Sequence, residues 1–111
     1  HAIEAALGYR DWLHGEAVAA GACMAARLSQ ALGWLTADDR AGVEALIERA
    51  ALPTRAPAGM TVQQFHEYMS VDKKVKGGKV RLVLLRRIGE AVVTADYDQR
   101  LLDEVLHQSI P

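Results

Sequence analysis

Leu13-His14-Gly15-Glu16-Ala17-Val18-Ala19-Ala20-Gly21-Ala22-Cys23-Met24-Ala25 decides how the rest of the chain is read. Ten residues, Ala17 to Ala26, pass without a charge between Glu16 and Arg27. Ala loses little entropy on entering a helix, so the stretch predicts a helix from about Gly15 to Leu32, with Gly33 at its C-terminal cap. Its small side chains cannot fill space themselves. They suit a central helix whose backbone other helices approach closely, with His14 held rigidly at its mouth.

Working outward, His1 to Leu7 reads as a helix stopped by Gly8, joined to the central helix by a short link carrying Tyr9 and Trp12. Thr36 and Asp39 form a capping signal for a third helix, with Val43, Leu46, Ile47 and Ala50 as its apolar stripe. It runs to about Ala51 and is ended by Leu52-Pro53, because the residue before proline resists the α conformation. Thr61 and Gln64 open a fourth helix running to about Val71, with Val62, Phe65, Tyr68 and Met69 inward. Residues 72–78 are polar and end in a Gly77-Gly78 turn. Val80 to Leu85 reads as a strand, and Ala91-Val92-Val93 as its return. Asp96 or Thr94 caps a last helix to about His107, with Tyr97, Leu101, Leu102, Val105 and Leu106 inward. The expected fold is mainly α, a helical-bundle-like single domain over residues 1–111 with one small β-hairpin.

Composition agrees. The chain has 111 residues, 5% aromatic, and a net charge of −1. That balance carries no polyelectrolyte signature for nucleic acid, and the uncharged run of ten is too short for a bilayer. Cys23, the one cysteine, permits no internal disulfide and reads as a small buried hydrophobe. The chain opens on His-Ala-Ile-Glu without a methionine and already in helix, as expected of a piece of a longer protein.

Three sets of residues carry potential chemistry. His1 and His14 are thirteen positions apart, not the i, i+4 spacing of two ligands on one helix face. They converge only if the first helix packs antiparallel to the central one; the alternative for His14 is a helix-start residue bonded to backbone. Glu4 shares a face with His1 and would orient an imidazole or make a plain surface pair. Lys73, Lys74, Lys76, Lys79, Arg81, Arg86 and Arg87 hold seven of the thirteen Lys and Arg. They would bind a phosphate or other small anion, or decorate a solvated turn and edge strand. His66 and His107 read as surface residues.

Together, His1-Ala2-Ile3-Glu4-Ala5, Leu13 to Gly21, Asp72-Lys73-Lys74, Gly77-Gly78-Lys79-Val80-Arg81-Leu82-Val83-Leu84 and Ile88-Gly89 resemble, in order and approximate distance, the C-terminal half of the 3-dehydroquinate synthase family. The resemblance implies a helical metal- and substrate-binding domain of a cytoplasmic, usually homodimeric lyase of the shikimate pathway, which leads to the aromatic amino acids. The family converts 3-deoxy-arabino-heptulosonate 7-phosphate into 3-dehydroquinate and phosphate, using NAD held by an N-terminal domain and a divalent metal, usually zinc. It implies His14 as a metal ligand, His1 as a catalytic residue facing the substrate near its phosphate, and Lys73 or Lys74 on the substrate's anionic end, Lys73 being favoured as catalytic. The family's other two metal ligands and its NAD-binding domain have no counterpart here, so this chain alone is expected to be inactive, to bind no NAD and to hold zinc weakly. Related sugar-phosphate cyclases, such as 2-deoxy-scyllo-inosose synthase, share the histidine block, and a non-catalytic helical interaction module is the alternative of another class.

Overall fold

The computed structural model describes residues 1–71, 75–76 and 79–111. Five helices, α1 (Ala2–Ala6), α2 (His14–Ala31), α3 (Ala37–Arg49), α4 (Val62–Val71) and α5 (Gln99–Ser109), surround two small antiparallel pairs. One pair joins β1 (Val75–Lys76) to β2 (Lys79–Val80); the other joins β3 (Leu82–Arg87) to β4 (Glu90–Thr94). The mainly helical domain with a hairpin is therefore as expected. β1 lies in the stretch read as a polar turn, and the strand expected from Val80 to Leu85 is divided, Lys79–Val80 pairing with β1 and Leu82–Arg87 with β4; the Gly77-Gly78 turn itself lies outside the described residues.

α2 is the central element. It packs on α3, α5 and β3, and its buried face is Ala17, Ala20, Cys23, Met24 and Leu28. Small side chains let these neighbours approach, as the composition predicts. The glycines do not contribute to this within the domain. Gly15 and Gly21 face outward with exposed Val18, and a Cβ on either would meet no described atom within 4 Å. Burial pushes the Cys23 thiol above its ordinary pKa, with Arg27 pulling weakly the other way, so it stays a protonated core group.

Three helices end alike. After α1, the amide of Gly8 donates to the Ala5 carbonyl (3.1 Å) and that of Tyr9 to the Glu4 carbonyl (2.9 Å). After α2, Gly33 and Trp34 repeat this to Gln30 and Ser29, both at 2.9 Å. This is the Schellman arrangement, which needs a left-handed residue just past the helix. Gly8 (φ +64°) and Gly33 (φ +82°) supply it at no steric cost. After α3 the same turn falls on Ala51 (φ +59°), so the helix ends about where it was expected to, stopped by this turn before the Leu52–Pro53 step. A left-handed alanine costs roughly 1–2 kcal/mol, and glycine returns part of that gain through the unfolded state. Ala51→Gly is expected to raise stability by about 0.5–1 kcal/mol in urea unfolding, with an unchanged slope.

Thr36 and Asp39 cap α3 reciprocally, at 3.0 and 3.2 Å, and Thr61 and Gln64 do the same for α4 at 3.1 and 2.9 Å. The α3 stripe is only half inward: Val43 and Ile47 are partly buried, whereas Leu46 is 65% exposed and Ala50 lies open. α3 borders α2 on one narrow side, so a stripe read at helical spacing is wider than the contact it finds. The cap of α5 is Asp98, whose Oδ1 accepts from the Arg100 amide at 2.8 Å. Thr94 instead accepts from the Asp96 amide at 2.9 Å, closing a small turn before it.

The β3–β4 register sets Leu84 against Val92, with Leu84 1% exposed in the core and Val83 opposite Val93 outside. A bulge between Leu85 and Arg87 precedes the Gly89 turn. Ser29 ties this hairpin to α2: its hydroxyl donates to the Ala25 carbonyl (2.7 Å) and accepts from the Leu85 amide (2.9 Å). Tyr97 closes the other end, donating its hydroxyl to the Val80 carbonyl at 2.6 Å, and burial raises its pKa.

Candidate functional site: the histidine at the start of the central helix

α2 begins without a capping side chain, since Leu13 has no acceptor. Glu16 compensates from the other direction, its Oε1 accepting from the Leu13 amide at 2.8 Å. The carboxylate also sits favourably at the positive end of the helix. This fixes the first turn, and with it the backbone of His14. The turn through Gly8 and Tyr9, both left-handed, then lays α1 against α2. Ala2 and Ile3 anchor α1 in the core and present Glu4 to the start of α2.

The outcome is a carboxylate–imidazole hydrogen bond between helices. Glu4 Oε1 lies 2.8 Å from His14 Nδ1. Glu4 meets the ring of His14, ten positions away. His14 is therefore bonded to a carboxylate and not to backbone. Its side chain is 72% exposed and that of Glu4 15%, so a shielded anion holds an accessible imidazole.

Chemically, a carboxylate accepts and an imidazole with its hydrogen on Nδ1 donates, leaving the Nε2 lone pair for a ligand. Such a nitrogen suits zinc or a similar divalent metal. The donor set fits one position of a metal site. Among the described residues no three His, Cys, Asp or Glu side chains converge to complete it.

His1 also borders a cavity of about 260 Å³, whose walls include Gly21, Met24, Phe65, Arg81 and Leu84. Mostly apolar, the cavity carries His1 and Arg81 as its polar groups of note. The remaining described cations are dispersed. The Lys79 ammonium donates to the Tyr97 carbonyl at 2.7 Å and stands 5.1 Å over its ring. Arg86 stacks on Trp34 at 4.9 Å, and Arg87 bonds Glu90 at 3.1 Å. These three act in holding the hairpin, so the basic run does not form one anion-binding face among the described residues. Lys73 and Lys74 lie outside the described residues, and the side chain of Lys76 does too.

His107 is exposed, as read. His66 is not a plain surface group: its Nε2 lies 2.7 Å from Asp103 Oδ1, pinning α4 to α5. Spacing along either helix gave no sign of that pair, because the partners are thirty-seven positions apart. No helix among the described residues is long and apolar enough to cross a membrane.

The 3-dehydroquinate synthase C-terminal family model matches residues 1–75. The 3-dehydroquinate synthase of Nitrosococcus oceani is 54% identical over 109 residues, which is 98% of this chain and 30% of that protein. Those of Pseudomonas fluorescens and Azotobacter vinelandii are each 54% identical over 106 residues, 96% of this chain and 29% of theirs. The chain thus spans about three-tenths of the length of the curated relatives it matches. His1, Glu4 and His14 all fall within the matched segment, and the chain belongs to the 3-dehydroquinate synthase C-terminal family.

Proposed function

We propose that this chain is the C-terminal, metal- and substrate-binding domain of a 3-dehydroquinate synthase, folded as one unit over residues 1–111. The observation that carries the reading is 54% identity, across nearly the whole chain, to proteins of that name. The reaction would convert 3-deoxy-arabino-heptulosonate 7-phosphate into 3-dehydroquinate and phosphate, a lyase step on the shikimate route to the aromatic amino acids. NAD would come from a preceding domain of the whole enzyme, a cytoplasmic homodimer in this reading.

In this scheme His14 is the metal ligand contributed by the chain, through Nε2. A bound divalent metal would polarise the substrate's hydroxyl and carbonyl oxygens. His1, which lines the same cavity as Arg81, faces the substrate near its phosphate in this scheme and favours departure of that group by hydrogen bonding and charge. Lys73, with Lys74 beside it, binds the anionic end of the substrate as a point charge. Lys79, Arg86 and Arg87 are left out of the site because each is engaged in the hairpin.

Zinc in catalytic sites takes three protein ligands, and among the described residues no three His, Cys, Asp or Glu side chains converge to supply them. Calorimetric titration of residues 1–111 alone should therefore show no sub-micromolar stoichiometric zinc site, and no phosphate release from the heptulosonate phosphate. The whole enzyme should release phosphate with NAD and zinc present. A whole enzyme that is inert towards this substrate but cyclises another sugar phosphate would overturn the substrate assignment.

A further inference from the structure

We infer that Glu4 is the positioning residue of His14: it holds the imidazole with the hydrogen on Nδ1 and turns Nε2 outward as the donor atom. The inference rests on the reading of His14 as a metal ligand and adds the group that prepares it.

Three observations carry it. The Oε1–Nδ1 distance of 2.8 Å is that of a charge-assisted hydrogen bond. A carboxylate can only accept in such a bond, so the hydrogen resides on Nδ1 and the neutral ring keeps its lone pair on Nε2. In addition, the two groups differ in exposure, 15% for Glu4 and 72% for His14, so the anchor is sheltered while the ring's far side faces solvent. Finally, Glu4 is itself immobilised. Its carbonyl accepts the Tyr9 amide at 2.9 Å, and its helix is pinned by buried Ala2 and Ile3.

A free side chain at the first position of a helix samples several rotamers, and the neighbouring backbone groups are N–H donors that offer the ring no acceptor. The carboxylate removes that freedom before any ligand arrives. The pairing is a product of the α1–α2 turn, so it exists without metal and can be detected without activity.

The test uses the whole enzyme stripped of metal, with ¹⁵N-labelled histidine. His14 should show the Nδ1–H tautomer by nitrogen chemical shift, and Glu4→Ala should abolish that signature. Zinc affinity, measured by competition with a chelator, should fall about 10–100-fold in Glu4→Ala. Glu4→Gln keeps an acceptor of the same shape, so it should preserve the tautomer with a smaller affinity loss; it carries the test if Glu4→Ala does not fold. An unchanged tautomer, or unchanged zinc affinity, in Glu4→Ala overturns the inference. A His14→Ala enzyme that binds zinc as tightly as the parent overturns instead the reading beneath it.

Discussion

Arg27→Met is expected to destabilise the domain by about 3 kcal/mol, the low end of the range for breaking a buried ion pair. Arg27 is where four parts of the fold meet. Its Nε donates to Glu44 Oε1 on α3 at 2.7 Å. One terminal nitrogen donates to the Ser109 hydroxyl at the end of α5, the other to the Thr54 carbonyl in the loop after α3, both at 2.9 Å. The arginine and glutamate side chains are only 12% and 18% exposed, so the pair is little screened. Methionine fills much of the same volume but strands the Thr54 carbonyl and half of the Glu44 carboxylate. Arg40 limits the damage, since its guanidinium holds the other Glu44 oxygen at 3.2 Å and Gln30 at 2.7 Å. For a domain of this size the midpoint of thermal unfolding should drop by about 10–20 °C. Arg40→Ala, at the edge of the network, should cost about 1 kcal/mol or less. Equal melting points for the Arg27 and Arg40 variants would show that the hub is misassigned.

Function should respond most strongly to His14→Ala. In the whole enzyme it is expected to weaken zinc binding by more than about 100-fold, because loss of a mere supporting partner costs 10–100-fold. Phosphate release should fall by at least the same factor at fixed zinc. Stability should hardly change, by about 0.5 kcal/mol or less, since the ring is 72% exposed and the helix start is secured by Glu16. His1→Ala should behave differently, with zinc retained and the loss falling on the phosphate-leaving step. A His14→Ala enzyme with near-parental turnover would remove this histidine from the metal site.

These two arginine and histidine positions also mark how far the primary structure reaches. Helices were legible where a local rule operates within one turn. The Thr36–Asp39 and Thr61–Gln64 capping pairs and the glycines after α1 and α2 depend on neighbours a few residues away. Errors arose where the environment decides. Leu46 and Ala50 keep helical spacing but lie beyond the strip that α2 covers, and Gly21 faces outward despite the small-residue helix around it. The left-handed stop at Ala51 is dictated by chain direction, which no residue preference announces.

The site divides in the same way. From sequence alone came the mainly helical class, the hairpin, the central position of the Ala-rich helix and, through the resemblance of His1–Ala5, Leu13–Gly21 and the Lys73-Lys74 block, the family and its candidate residues. Spacing along the chain could not pair Glu4 with His14, because a ten-residue separation becomes a 2.8 Å contact only after Gly8 and Tyr9 reverse the chain. Nor could it reveal Arg27 joined to Ser109, eighty-two positions on, or Lys79, Arg86 and Arg87 withdrawn from a common anion site by Tyr97, Trp34 and Glu90. Local propensity and capping act over a turn of chain and are written in its order. Which charged group meets which is set by packing across helices, and only the tertiary structure decided that the residue preparing His14 is Glu4.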